Sequence, residues 1–191
     1  MVIKSNKRDF KANKLKIGTR GSPLALAQAL EVKKEIIKHH KLNDQSVEII
    51  SISTKGDRVI DRPLTEIGGK GLFTEEIENK LFHNEIDIAV HSMKDMPTEF
   101  PAGLVINTFL KREDFRDSFV SLKYNSINEL PAGTVVGSSS IRRKAQLLSI
   151  RSDLKVVEFR GNVQTRLKKL KDGVADATFL ACAGLIRLGM K

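Results

Sequence analysis

Apolar positions along this 191-residue chain switch repeatedly between a strand period and a helix period. Leu15–Thr19 forms a short apolar run and predicts a strand. Ser22 then offers an N-cap oxygen and Pro23 suits the first helical position. Leu26, Leu30 and Ile37 follow at spacings of four and seven, which predicts one apolar helix face. Val47–Thr54 alternates apolar and polar residues, a second strand. Residues 55–71 hold four glycines and one proline with little period and predict a long loop. Phe73, Ile77 and Leu81 mark a second helix. Asp87–Ser92 and Leu104–Leu110 read as buried strands.

Beyond a charged junction at 111–117, the alternation resumes. Ser118–Leu122 and Thr134–Gly137 predict strands, with a turn at Pro131-Ala132-Gly133 between them. Ile141, Ala145 and Leu148 predict a helix face, and Leu154–Phe159 a strand. Asn162 is placed to cap a helix that buries Val163, Leu167 and Leu170 and closes at Gly173. Ala177–Ala183 predicts a last strand, with a helix starting at Gly184–Leu188. The pattern gives an α/β fold with largely parallel strands. It divides into a flexible basic tail over 1–14, a first domain over 15–112 and a second over 113–191. Both domains look incomplete, because the chain stops within a βα alternation.

Composition narrows the class. No apolar run approaches the roughly 20 residues that span a bilayer, and no signal segment follows the basic start. Cys182 is the single cysteine, which excludes a disulfide framework and fits a reducing cytoplasm. It sits in an apolar run and reads as a packed, inert thiol. The four histidines are scattered, so no metal site is indicated. Of these, His91 ends an apolar strand and reads as a hydrogen-bonded core residue. Gly68-Gly69-Lys70-Gly71 lacks the remaining residues of a phosphate-binding P-loop.

Charge changes the picture further. The net charge of +10 is +5 over residues 1–16, −3 over 17–117 and +8 over 118–191. A basic half predicts an anionic partner. Nucleic acid is one reading, but aromatic residues are only 5% with no tryptophan, so stacking platforms are scarce. The cations instead fall at predicted strand-to-helix turns, where open α/β sheets bind ligands. These turns are Thr19-Arg20-Gly21-Ser22, then His91-Ser92-Met93-Lys94-Asp95, then Ser138-Ser139-Ser140-Ile141-Arg142-Arg143. Arg160-Gly161-Asn162 with Arg166, and Ala183-Gly184 with Arg187, complete the set. Any one arginine reads as a solvated surface residue. Five cationic turns at strand ends predict a ligand with several negative charges. Asp95 is the one acid within these turns, and two readings stand side by side. It stabilises a cation or moves a proton, or it is a structural ion pair.

Seven segments together resemble the porphobilinogen deaminase (hydroxymethylbilane synthase) family. They are Thr19–Ala25, Lys55-Gly56-Asp57, Gly68–Phe73, Ala89–Pro97, Gly137–Arg143, Arg160–Arg166 and Ala183–Gly189, and they run in family order from about Leu15 onwards. The resemblance implies two periplasmic-binding-protein-like domains with mixed, mainly parallel sheets around a cleft. It also implies head-to-tail condensation of four porphobilinogen units, with loss of ammonia, to 1-hydroxymethylbilane for haem and other tetrapyrroles. It implies a dipyrromethane cofactor held by Ser22, Ser92, Lys94, Asp95, Arg142, Arg143, Arg160, Arg166 and Arg187. The substrate carboxylates go to Arg20, Ser22, Lys70, Arg160, Arg166 and Arg187, and Asp95 is the catalytic residue.

The same resemblance makes residues 57–71 a lid over the cleft, with Glu66 standing where some relatives carry lysine. It implies a cytoplasmic monomer with pyrrole ligands and no nucleic-acid or membrane partner. The family's C-terminal α+β domain, with the cysteine that anchors the cofactor, is absent here, and Cys182 does not match that residue. The expectation is therefore that this chain is inactive alone. A non-catalytic polyanion-binding protein on the same fold, or a basic nucleic-acid binder, is the competing reading.

Overall fold

The computed structural model describes Val2–Lys4 by their backbone, and residues 14–58 and 71–190 in full. The chain forms two compact units, Met1–Lys111 and Arg112–Lys191. Among the described residues no helix is long and apolar enough to cross a membrane.

In the first unit, strands β1 (Val2–Lys4) and β2 (Leu15–Arg20) precede helix α1 (Pro23–His40). Strand β3 (Val47–Ile52), a one-turn helix α2 (Lys55–Arg58), helix α3 (Glu75–Phe82), β4 (Ile88–Ala89) and β5 (Leu104–Ile106) follow. The sheet order is β3-β2-β4-β1-β5. β2 pairs parallel with β3 and β4, whereas β1 pairs antiparallel with β4 and β5. Val2–Lys4 therefore lies in the sheet, although the sequence places it in the tail. Its apolar Val2 and Ile3 are too few to show a period, and only the groove between two strands fixes them. Residues 5–13 of that tail lie outside the described residues.

Both faces of this sheet are covered, so its strands alternate between two cores. Leu15, Ile17, Val47, Ile88 and Val90 pack with Ala29 and Val32 of α1. Ile52, Ile86, Ala89 and Leu104 pack with Ile77 and Leu81 of α3. Ile77 and Leu81 are fully buried, each contributing about 1.5–3 kcal/mol of transfer free energy. The buried face of α1 is Ala25, Ala29 and Val32, whereas Leu30 is 49% exposed. The sequence expectation of a Leu26, Leu30 and Ile37 face is thus rotated. The close helix–sheet contact admits alanine where leucine is too large.

The second unit contains β6 (Asp117–Ser121), β7 (Val135–Gly137), α4 (Ile141–Ile150), β8 (Lys155–Val157), α5 (Val163–Lys171), β9 (Ala177–Ala181) and α6 (Cys182–Arg187). Its sheet order is β6-β9-β7-β8, with β7 parallel to both β8 and β9 and β6 antiparallel to β9. Leu130, Val136, Leu147, Leu154 and Ala177 form one core, and Phe159, Leu170 and Ala175 another. Helix α4 buries Leu147, while Ile141 is 75% exposed and Ala145 is exposed, against the predicted face. Cys182 opens α6 instead of lying within the strand, and it is half-buried. The chain passes straight from strand to helix there, a junction that an unbroken apolar run does not reveal. Both units are thus α/β with mixed, mainly parallel sheets.

Candidate functional site

Parallel neighbours end at the same sheet edge, so residues far apart in sequence meet there. In the first unit the carboxyl ends of β3, β2 and β4 bring together Asp57, Arg20 and Asp95. Arg20 is the last residue of β2. Its Nε donates to both Asp57 oxygens at 3.1 Å, and its Nη2 bonds Asp57 Oδ1 as well. Phe73 covers the guanidinium, with Arg20 Cζ 4.2 Å from the ring centre. Arg20 Nη1 lies 3.9 Å from Asp95 Oδ2, beyond hydrogen-bond distance.

Local chemistry builds the rest of this edge. Ser22 caps α1 as expected, its Oγ accepting from the Ala25 N–H at 3.3 Å. Ser92 Oγ donates to Gln28 Oε1 at 3.1 Å, and the Ser92 carbonyl accepts from the Asp95 N–H at 3.0 Å. Lys94 is exposed, and its amine has no side-chain partner among the described residues. Burial, then the nearby charge of Arg20, push the His91 imidazole down to about 4, so it is neutral at pH 7. Lys70 and Glu66 lie outside the described residues.

Asp57 was not among the site residues read from sequence. Its signal is Thr54-x-x-Asp57, a capping-box spacing. Thr54 Oγ1 and the Thr54 N–H donate to Asp57 Oδ2 at 2.8 and 3.4 Å. Burial raises the Asp57 carboxyl, but the bonds from Arg20 and Thr54 outweigh it and hold the group below the ordinary aspartate value. Gly56 matters beside it, because a Cβ there would stand 2.2 Å from the Phe73 ring.

In the second unit the carboxyl ends of β8, β7 and β9 carry Arg160 with Arg166, Arg142 with Arg143, and Arg187. The three serines between β7 and α4 hold this edge together. Ser138 Oγ accepts from the Ser140 N–H at 3.2 Å, and Ser139 Oγ from the Phe159 N–H at 3.0 Å. Ser140 Oγ accepts from the Arg143 N–H at 3.4 Å as the α4 N-cap. Arg143 turns to Asp117, Nε to Oδ2 at 2.7 Å and Nη2 to Oδ1 at 2.5 Å, and its Nη1 donates to the Phe179 carbonyl. Arg142 is exposed, with no side-chain partner among the described residues.

Asn162 caps α5 as predicted, accepting from the Thr165 N–H at 2.9 Å. Arg166 Nε donates to the Gly161 carbonyl at 2.9 Å. Burial, then the like charge of Arg143, lower the Arg166 pKa, against the pull of Glu158. The Arg160 carbonyl accepts from Lys169 Nζ at 3.0 Å, and Arg187 ends α6.

The charge argument therefore needs a correction. Asp95 is not the only acid at these edges, because Asp57 and Asp117 reach in from neighbouring elements. Arg20 and Arg143 already hold protein carboxylates. Among the described residues no group of three or more His, Cys, Asp or Glu is arranged to hold a metal ion.

Comparison with known proteins follows the same residues. The profile of "Porphobilinogen deaminase, dipyromethane cofactor binding domain" matches residues 15–191. A porphobilinogen deaminase of Paracoccus denitrificans is 66% identical over 178 residues, covering 93% of this chain and 57% of its own. A chloroplastic porphobilinogen deaminase of Oryza sativa subsp. japonica is 56% identical over 182 residues, 94% of this chain and 51% of its own. The chain thus spans about half the length of these curated relatives. Among solved structures, the ArgBP from T. maritima aligns over 92% of this chain and 71% of its own, at 15% identity and a TM-score of 0.39. A match across nearly all residues after the tail, with two-thirds identity to a curated relative, places the chain in the porphobilinogen deaminase family.

Proposed function

We propose that this chain is the ligand-binding part of a hydroxymethylbilane synthase, which condenses four porphobilinogen units head to tail and releases ammonia at each step. The observation that carries this reading is the gathering of cations at the carboxyl ends of parallel strands in both units. Porphobilinogen carries an acetate and a propionate, and a growing pyrrole chain is a polyanion. Guanidinium groups at strand ends recognise such carboxylates in paired hydrogen bonds.

The residues divide by what already holds them. Lys94 and Arg142 are exposed cations with no side-chain partner among the described residues, and they take ligand carboxylates directly. Arg160, Arg166 and Arg187 bind further carboxylates of cofactor and substrate. Arg143 binds with the guanidinium edge that Asp117 leaves, and Arg20 with its edge away from Asp57. Ser22 and Ser92 line the first edge, and Lys70 adds a substrate contact. Asp95 is the catalytic residue. Its carboxylate faces the pyrrole nitrogens, stabilises the azafulvenium cation left as ammonia departs, and assists proton transfer.

The second unit fits the dipyrromethane cofactor on the chemistry of its donors. Arg166 is crowded by Arg143 and desolvated, a strain that a bound carboxylate relieves. When bound, dipyrromethane supplies two linked pyrroles with their acetate and propionate groups. Arg142, Arg143, Arg160, Arg166 and Arg187 hold those groups and fix their orientation. The protein acts as a cytoplasmic monomer.

Titration calorimetry with porphobilinogen, and in parallel with duplex and single-stranded DNA at two salt concentrations, tests this reading. Saturable binding of porphobilinogen is expected. DNA binding with a steep salt slope, and none of porphobilinogen, would overturn it.

A further inference from the structure

The first edge holds more negative charge than its cationic turn suggests. Arg20 contributes one positive charge, Asp57 and Asp95 one negative charge each, and His91 is neutral. Asp57 occupies the Nε side of the guanidinium, while Asp95 stays 3.9 Å from Nη1 without a hydrogen bond to it. Asp57 is itself fixed from behind by Thr54, which is completely buried. Phe73 closes one face of Arg20, and its ring needs the missing Cβ of Gly56. Arg20 is thus gripped along one edge and one face, and its charge is taken up by a group other than Asp95.

We propose that Asp57 is a positioning residue, which neutralises and orients Arg20 so that the Asp95 carboxylate stays uncommitted and available to a cationic group of the ligand. Without Asp57, Arg20 is drawn to the remaining acid, since two unit charges attract more strongly as their separation falls. The edge then changes from net negative to neutral, and Asp95 is consumed by an internal pair. The consequence is one of ligand specificity. A pyrrole with an aminomethyl ammonium is favoured over the same dicarboxylate with a methyl group in its place. This inference rests on the proposed function only for the identity of those two ligands.

Two measurements test it on the 191-residue chain. The first needs no ligand: exchange of the Arg20 Nε–H proton with water, followed by nitrogen-15 NMR. Asp57→Asn is expected to speed exchange at least about tenfold, and Asp57→Glu to restore part of the protection. Thr54→Val keeps the charge but frees the carboxylate, and gives an intermediate rate. The second is the ratio of affinities for porphobilinogen and its methyl analogue. Asp57→Asn lowers that preference about threefold to tenfold, the size expected for one unit charge at a partly exposed site.

An unchanged Nε–H exchange rate in a folded Asp57→Asn chain would overturn the proposal, as would an unchanged preference. If Asp57→Asn does not fold, Thr54→Val and Asp57→Glu decide it by the same readouts. If the wild-type chain binds neither pyrrole, the functional reading fails, and the exchange rates still decide the role of Asp57.

Discussion

Replacing Gly137 by alanine tests the packing beneath the arginine-rich edge of the second unit. Gly137 ends β7 and leads into the serines before α4. An added Cβ would meet three atoms of the Phe159 ring at 2.3–2.8 Å. Phe159 is fully buried, so the ring has no solvent into which to retreat. Overpacking of this kind costs about 1–3 kcal/mol. Alanine also restricts the unfolded chain, which returns about 0.4–1 kcal/mol where the backbone conformation is acceptable. The net expectation is about 1–2 kcal/mol of destabilisation. A unit of roughly 80 residues loses about 4–8 °C per kcal/mol, so Gly137→Ala should lower its Tm by roughly 4–16 °C. The assay is thermal unfolding by circular dichroism, repeated for Phe159→Leu and the double variant. Leucine gives up the ring, so the double variant should be more stable than the sum of the single losses predicts. A Tm within about 2 °C of wild type, or strictly additive losses, would refute the reasoning.

Three further outcomes are expected. Asn162→Ala should cost about 0.5–2 kcal/mol in urea unfolding, because it removes the α5 cap from the Thr165 N–H. His91 has a folded pKa of about 4 against the model value 6.5, so the unfolded state binds more protons between those values. Its contribution is therefore intact above about pH 6.5 and lost progressively as pH falls towards 4. A ring-proton NMR titration should find its midpoint near 4, and His91→Gln should flatten the stability loss in that window. Lys94→Ala and Arg142→Ala should each change stability by less than about 0.5 kcal/mol. Each should nevertheless weaken porphobilinogen binding in calorimetry by about threefold to tenfold, the loss of a charged hydrogen bond at an exposed site.

Features settled by neighbouring residues were legible in the sequence. Ser22 with Pro23 and Asn162 with Thr165 are complete within one helical turn, so their caps could be read directly. The strand and helix order was legible for the same reason, since each element's period lies within its own residues. The family motifs at Arg20, Asp95, Arg142 and Arg160 were also continuous stretches of chain.

Only the tertiary structure decided which faces are buried and which charges are spent. Helix α1 buries Ala25 and Ala29 and exposes Leu30, because the distance to the sheet selects side-chain size, and no helix contains that distance. Val2–Lys4 joins a sheet because two strands leave a place for it. The partners of Arg20 and Arg143 lie 37 and 26 residues away in sequence. Parallel pairing carries Asp57 to the strand edge where Arg20 ends, and antiparallel β6–β9 pairing places Asp117 beside Arg143's edge. Sequence thus supplied the cations and their turns, while folding determined how much of their charge remains for a ligand.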